Sequence, residues 1–143
     1  YAQFVSENAE PMPGAVDFVS TVARSFPVGL ATGSRRSDVN AALRVLAGGR
    51  LEDVFQTIVT SEDVPNPKPH PATYLKAVEN LGFQPSECVA FEDSPNGIKS
   101  AKQAGLRVVG VTAIHGAEKL PGTNYLIPDF RGLSLEVLES VLA

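Results

Sequence analysis

The sequence predicts an α/β protein with a doubly wound, mainly parallel sheet that carries helices on both faces. Short apolar runs of strand length alternate with segments of helical periodicity along the whole 143-residue chain, which is the pattern of strand–helix–strand units. No repeat or low-complexity linker interrupts this alternation. Because crossovers between parallel strands are right-handed, the carboxyl ends of all strands are expected at one edge of the sheet.

Five compact apolar runs indicate the strands, and they are expected over residues 28–31, 55–59, 89–91, 108–111 and 125–127. The first of them ends at Thr32-Gly33-Ser34, which indicates a buried strand that meets a loop. The third is followed directly by Glu92 and Asp93, so this strand should deliver two carboxylates to the sheet edge.

Helices are expected between the strands because apolar residues recur there at helical spacing and capping residues mark the ends. Residues 1–8 are expected to be the end of one helix. The others are expected over residues 15–25, from Ser37 or Asp38 as the cap to about residue 46, and over 71–81, 96–104 and 133–142. For the helix over residues 96–104, Ser94 is the predicted N-cap and Pro95 occupies the first helical position. Leu135, Leu138 and Leu142 are expected on one side of the last helix.

Composition excludes several classes of protein. A net charge of −4 and a pI of about 5.1 argue against a nucleic-acid partner, because no basic stripe is present to neutralise phosphates. The hydrophobic content of 43% with 20% charged residues indicates one packed domain over residues 1–143. The single cysteine, Cys88, is expected to be a small core residue. No apolar run approaches the ~18 residues of a membrane span, so a cytoplasmic location is the default expectation.

Polar groups of three kinds are predicted to meet at the carboxyl edge of the sheet. They are Thr32 with Gly33, Lys68 in a proline-rich loop, and Glu92 with Asp93. Each group also has a simpler interpretation when taken alone. Thr32 and Gly33 fit a simple turn, Lys68 fits a solvated loop lysine, and Glu92 with Asp93 fits a helix cap. Together, a hydroxyl, an ammonium and two carboxylates suit a phosphoryl site that holds Mg²⁺, which usually takes one or two protein carboxylates.

Three segments in this order resemble motifs of the haloacid dehalogenase superfamily, in the branch of β-phosphoglucomutase and phosphoglycolate phosphatase. They are VGLATGS at 28–34, NPKPHP at 66–71 and FEDSPNG at 91–97. The resemblance implies a magnesium-dependent phosphatase or phosphomutase that acts on a small phosphorylated metabolite. It also implies that residues 1–10 are the remnant of the last helix of a cap domain, and that residues 1–143 form the core domain.

The resemblance assigns a role to each residue of the predicted site. Thr32 and Lys68 would be catalytic, and they would bind the phosphoryl group together with Gly33, Ser34 and Arg35. Glu92 and Asp93 would hold the metal. Arg35 and Arg36 could also meet a second anionic group of the substrate, or they could be solvated arginines at the start of a helix, whereas His70 and His115 are interpreted as loop residues.

The family's first motif, a strand that ends in Asp-x-Asp and supplies the attacking aspartate, does not occur in these 143 residues. The chain is therefore expected to be a catalytically incomplete fragment with little turnover of its own. The alternative is a non-catalytic remnant of the fold that binds phosphate or a partner protein.

The missing first strand would lie in the centre of the family's sheet, between the strands at 28–31 and 89–91. Three remedies remain open: the flanking strands pair directly, a second chain donates a strand, or a longer chain supplies it. Because unpaired strand edges invite pairing with other chains, self-association is expected of the chain alone.

Overall fold

The computed structural model describes residues 12–143, apart from the side chains of residues 46 and 47. Its strands are β1 (Gly29–Ala31), β2 (Thr57–Val59), β3 (Val89–Glu92), β4 (Arg107–Val111) and β5 (Tyr125–Ile127). Its α-helices are α1 (Ala15–Ala23), α2 (Arg36–Val45), α3 (Ala72–Leu81), α4 (Pro95–Gln103) and α5 (Glu136–Leu142). Short 3₁₀ helices lie at Leu46–Gly49, Pro85–Glu87 and Ala117–Lys119. Over the described residues, no helix combines the length and the apolar character that crossing a membrane requires.

All strand pairs are parallel, and they form two separate sheets. One sheet contains β1 and β2, and the other has the order β3–β4–β5. Within residues 12–143, β1 and β3 do not pair with each other. The parallel α/β architecture is therefore confirmed, and of the three remedies for the missing central strand, direct pairing of its neighbours is not the one adopted.

Helices cover both faces of the strands, because side chains of a strand point alternately to opposite sides. Val89 and Phe91 of β3 join the larger apolar cluster, which includes side chains of α1, α2 and α5. Ala90 joins the second cluster, which is formed mainly with α3 and α4. The Phe91 ring meets the Phe18 ring edge-on, with 5.4 Å between their centroids. The result is the three-layered arrangement that the alternating sequence pattern predicts.

An apolar groove lies where β1 and β3 fail to pair. Its volume is about 130 Å³, and its walls come from both strands, from α1 and α5 and from the end of α3. The lining residues on the α-helices and strands are Phe18, Val19, Val22, Gly29, Leu81, Val89, Phe91, Leu138 and Leu142. The groove, defined by these residues, lies between β1 and β3 toward their amino-terminal ends.

Most element ends agree with the local sequence signals. Ser94 caps α4 by accepting a hydrogen bond from the Gly97 N–H at 3.1 Å, and Gly82 ends α3 in the left-handed conformation at φ 80°. The predicted cap of α2 was wrong: the helix begins at Arg36, so Ser37 and Asp38 lie inside its first turn. A distant carboxylate replaces the local cap, because the Arg36 N–H donates to Oε1 of Glu62 at 2.8 Å.

Several predicted segments differ from the structure in length, and one lies outside the described residues; α1, for example, ends at Ala23 and not at residue 25. β2 and α5 begin later than predicted, at Thr57 and Glu136. The interpretation of residues 1–10 as a cap helix falls outside the described residues. Cys88 is only half-buried at the edge of the second cluster, and burial raises the pKa of its thiol.

Candidate active site

Glu92 is the last residue of β3 and lies completely buried, although it is a carboxylate. Its Oε1 accepts two hydrogen bonds of 2.5 Å, one from Nζ of Lys68 and one from the Tyr74 hydroxyl. Burying an ionised carboxylate costs free energy unless it is paired and hydrogen-bonded. The ammonium and the phenol together supply that compensation.

Lys68 connects β1 and β3 at the carboxyl edge of the two sheets, across the gap that separates these two strands. Besides Glu92 on β3, its Nζ donates to the carbonyl of Ala31, the last residue of β1, at 3.1 Å. The ammonium also lies 4.9 Å from the centroid of the Tyr74 ring. Only 9% of the Lys68 side chain is exposed, so its charge is held at one position and not solvated in the loop.

Gly97 in the first turn of α4 makes room for the Glu92 carboxylate. A Cβ at this position would lie 2.0 Å from Oε2 of Glu92, so a side chain here would displace the carboxylate or the helix. Oε2 itself is buried and has no hydrogen-bond partner among the described residues. The Glu92 carboxylate, five positions earlier in the chain, therefore favours glycine at position 97, and Oε2 has no protein donor among the described residues.

Asp93 follows Glu92 in a more open position and is half-buried. Burial raises the pKa of its carboxyl, the nearby Glu92 charge raises it further, and the charges of Lys68 and His115 oppose this shift. The adjacent Glu92 and Asp93 carboxyls therefore repel each other when both are ionised, and a cation bound between them would relieve that repulsion.

These features fit a small divalent cation. Over residues 12–143, no cluster of three or more His, Cys, Asp or Glu side chains surrounds such an ion. Mg²⁺ commonly uses only one or two protein carboxylates and keeps waters and substrate oxygens as its other ligands. The unpartnered Oε2 of Glu92 and the carboxylate of Asp93 match that requirement.

Thr32 lies at the end of β1, next to the carbonyl that Lys68 contacts. Its backbone N–H extends the pairing with β2 by donating to the Val59 carbonyl at 2.9 Å, and its Oγ1 accepts from the Ser34 N–H at 3.1 Å. Gly33, Ser34 and Arg35 are exposed, and a Cβ at Gly33 would meet nothing within 4 Å. The structure therefore places a buried hydroxyl residue and an open turn at the same edge as Lys68.

Arg36 supports this turn and is already engaged by the protein. Its Nη2 donates to the Ile58 carbonyl and to Oδ2 of Asp63, both at 2.8 Å. The same Oδ2 accepts from the backbone N–H and the hydroxyl of Thr60, and these contacts lower the pKa of Asp63. None of the three sequence motifs indicates this network, and its signal in the sequence is the polar run Thr-Ser-Glu-Asp directly after β2.

The two histidines differ in their surroundings. His70 is exposed, its Nδ1 accepts from the Ala72 N–H at 3.1 Å at the start of α3, and its carbonyl accepts from the buried Ser100 hydroxyl at 2.7 Å. This is a structural role in a loop, as the sequence suggested. His115 is half-buried, and its charge acts on Asp93, so the loop after β4 approaches the acid pair.

Comparison with known proteins identifies the family. The family model described as a haloacid dehalogenase-like hydrolase matches residues 1–105. The chain is 39% identical over 122 residues to the validoxylamine A 7'-phosphate phosphatase of Streptomyces hygroscopicus subsp. limoneus, covering 85% of this chain and 56% of the relative. It is 35% identical over 105 residues to the fructose-1-phosphate phosphatase YqaB of Escherichia coli K12, covering 73% and 54%.

Solved structures show the same fold. CbbY from Rhodobacter sphaeroides, in complex with phosphate, matches with a TM-score of 0.83 and 30% identity over 91% of this chain and 59% of that chain. A β-phosphoglucomutase homologue from Thermotoga maritima matches with a TM-score of 0.75 and 29% identity, over 93% and 58%. The chain spans about half the length of the relatives that it matches.

Proposed function

We propose that this chain, which belongs to the haloacid dehalogenase-like hydrolase family, supplies the phosphate- and metal-binding side of a magnesium-dependent phosphatase or phosphomutase. Its substrate would be a small phosphorylated metabolite. The phosphatase names of the two relatives above support this class of reaction. Which metabolite binds would depend on groups beyond the edge described here.

The observation that carries the proposal is the position of Lys68. One ammonium joins the ends of β1 and β3 by contacts to the Ala31 carbonyl and to Glu92. It therefore lies between the turn that begins at Thr32 and the acid pair. A phosphoryl group bound there would meet a fixed cation, which stabilises charge that spreads over the phosphoryl oxygens during transfer.

Each residue of the edge has a role in this proposal. The hydroxyls of Thr32 and Ser34 and the backbone N–H of Gly33 would donate hydrogen bonds to phosphoryl oxygens, and Arg35 would bind the phosphoryl group or a second anionic group. Lys68 would neutralise the phosphate and the nucleophile. Glu92 and Asp93 would hold Mg²⁺, which when bound orients the phosphate and offsets its negative charge.

Phosphoryl transfer also requires a nucleophile, which the family resemblance identifies as an aspartate on the missing strand. We propose that such a strand occupies the groove between β1 and β3, donated by a second chain or by a longer polypeptide. Among the described residues, β1 pairs with β2 and β3 pairs with β4, and the walls of the groove are mostly apolar. Without that strand the chain should self-associate and show little turnover, which analytical ultracentrifugation and a phosphatase assay would measure.

Binding of inorganic phosphate to the full chain tests the site directly. Calorimetric titration should show binding that strengthens with Mg²⁺. Lys68→Ala should weaken it about tenfold or more, because a charge-assisted contact is lost. The matched control is Lys76→Ala, which removes an exposed lysine from α3. Equal losses in the two variants, or binding indifferent to Mg²⁺, would contradict the proposal.

Activity is tested by restoring the missing strand. The chain would be joined to the amino-terminal half of one of the phosphatase relatives, and release of p-nitrophenol from p-nitrophenyl phosphate would be measured. We expect magnesium-dependent hydrolysis that Lys68→Ala abolishes and Lys76→Ala leaves intact. Activity no greater than that of the Lys68→Ala variant, combined with intact phosphate binding, would favour the non-catalytic remnant.

A further inference from the structure

Tyr74 lies in the first turn of α3, outside the three motif segments, and it is the largest fully buried side chain of the described residues. Its hydroxyl donates to Oε1 of Glu92 at 2.5 Å. A buried tyrosine normally requires a partner for its hydroxyl. Here the partner is a proposed metal ligand and not a backbone carbonyl, so the contact has a consequence for the site as well as for packing.

The two oxygens of Glu92 are in different situations. Oε1 receives both the Tyr74 hydroxyl and the Lys68 ammonium, whereas Oε2 has no hydrogen-bond partner within residues 12–143 and packs against Gly97. Two donors on one oxygen fix the rotation of the carboxylate about its last bond. Of these donors, the tyrosine is the more rigid, because its ring has only two side-chain torsions and is enclosed by the core.

We propose that Tyr74 is a positioning residue that holds Glu92 so that Oε2 is the oxygen presented to the divalent cation. Its ring supports the second donor too, since the Lys68 ammonium lies 4.9 Å from the ring centroid. This inference rests on the proposed function, because it concerns the same acid pair. It differs from that proposal in assigning the orientation of Glu92 to a residue that would contact neither metal nor phosphate.

The test compares Tyr74→Phe with Tyr125→Phe in the full chain. Tyr74→Phe removes one hydroxyl and keeps the buried ring, and Tyr125 is an exposed tyrosine on β5, which makes it a matched control. Removing a group that orients a metal ligand typically weakens metal binding by about 10–100-fold. Calorimetric titration with Mg²⁺ should therefore show a loss of about tenfold or more in Tyr74→Phe and no change in Tyr125→Phe.

Two further measurements separate positioning from a packing defect. The affinity for inorganic phosphate without metal should stay within about twofold of that of the parent, because Lys68 and the turn at Thr32 are untouched. A general loosening of α3 would instead lower the affinities for both Mg²⁺ and phosphate. The electron paramagnetic resonance spectrum of bound Mn²⁺ should also change in Tyr74→Phe, since a ligand that is free to rotate alters the symmetry at the metal.

The outcomes distinguish the two proposals. If the parent chain binds no Mg²⁺, the proposed metal site fails and this inference fails with it. If the parent binds Mg²⁺ and Tyr74→Phe binds it equally well, only the role of Tyr74 is overturned. Parallel losses of Mg²⁺ and phosphate affinity would likewise overturn it, because they would identify Tyr74 as a packing residue alone.

Discussion

On the β1–β2 side of the gap, the turn after the strand is held by hydrogen bonds near the surface, whereas on the β3 side the acid is held inside the core. The Arg36 side chain is 43% exposed and its partner Asp63 is 29% exposed, but the side chains of Lys68 and Glu92 are 9% and 0% exposed. Both sides use a cation paired with a carboxylate. They differ in how much water remains around the pair.

This difference determines how closely stability and function are connected. An exposed ion pair contributes little, because water screens its charges. A buried pair is different: once it has formed, removing one partner leaves an uncompensated charge in the core. On the β3 side, the groups proposed to bind ligand therefore also determine whether the fold tolerates its own buried carboxylate.

The largest expected effect comes from Lys68→Met compared with Arg36→Met. Lys68→Met leaves Glu92 buried without its cation and should lower the free energy of unfolding by about 3–5 kcal/mol. Arg36→Met removes a half-exposed pair and should cost about 1 kcal/mol. Chemical denaturation of both variants measures the two losses, and similar values would contradict the comparison.

A second substitution identifies the buried charge as the cause. In Lys68→Met, adding Glu92→Gln removes the carboxylate that has lost its partner. The double variant should therefore recover part of the stability lost in the single variant, because a neutral amide costs less to bury than an unpaired carboxylate. Additive losses in the same denaturation experiment would rule out this explanation.

An added side chain should also destabilise the β3 side of the gap more than the β1–β2 side. Gly97→Ala places a Cβ 2.0 Å from Oε2 of Glu92 and should cost about 1–3 kcal/mol through displaced atoms. Gly33→Ala places a Cβ in open space and should change stability by no more than about 0.5 kcal/mol. Thermal unfolding of the two variants tests this, and a tolerated Gly97→Ala would show that Glu92 moves freely.

The smallest effect concerns the pH dependence of the β1–β2 side. Hydrogen bonds from Thr60 lower the pKa of Asp63 from 3.8 in the folded protein, so the unfolded chain binds its proton more readily. The ionised Asp63 therefore stabilises the fold above pH 3.8, and this contribution is lost as the pH falls through the lower, folded-state pKa.

Asp63→Asn should remove about 1 kcal/mol near neutral pH and less in acid. Unfolding measured across the acidic range gives the difference between parent and variant, and Asp53→Asn serves as an exposed control. A difference that stays constant down to the lowest pH would show that the Asp63 charge does not contribute.

Much of the fold follows from local patterns in the sequence. Apolar runs predicted all five strands, and Ser94, Pro95 and Gly82 predicted where α4 begins and α3 ends. Because parallel strands end at one edge, the sequence also predicted that Thr32, Lys68 and Glu92 approach each other. Lys68 and Glu92 do meet, although 24 positions separate them.

Other features depend on neighbours that no local pattern specifies. Arg36 was an alternative substrate contact, but it binds Asp63, 27 positions away, and its N–H is capped by Glu62. The Tyr74 side chain fits an apolar helix face, and nothing near it in sequence indicates that its hydroxyl meets a carboxylate 18 positions away. Long-range polar contacts of this kind were therefore missed.

The sequence by itself determined the order of strands and helices, the edge where the polar residues lie and the identity of the acid pair, because periodicity, capping and strand direction are local properties. Only the tertiary structure decided that Glu92 is buried, that Lys68 and Tyr74 share one of its oxygens, and that β1 and β3 remain apart. The reason is physical: whether a charge is solvated or paired depends on which distant side chains exclude water from it.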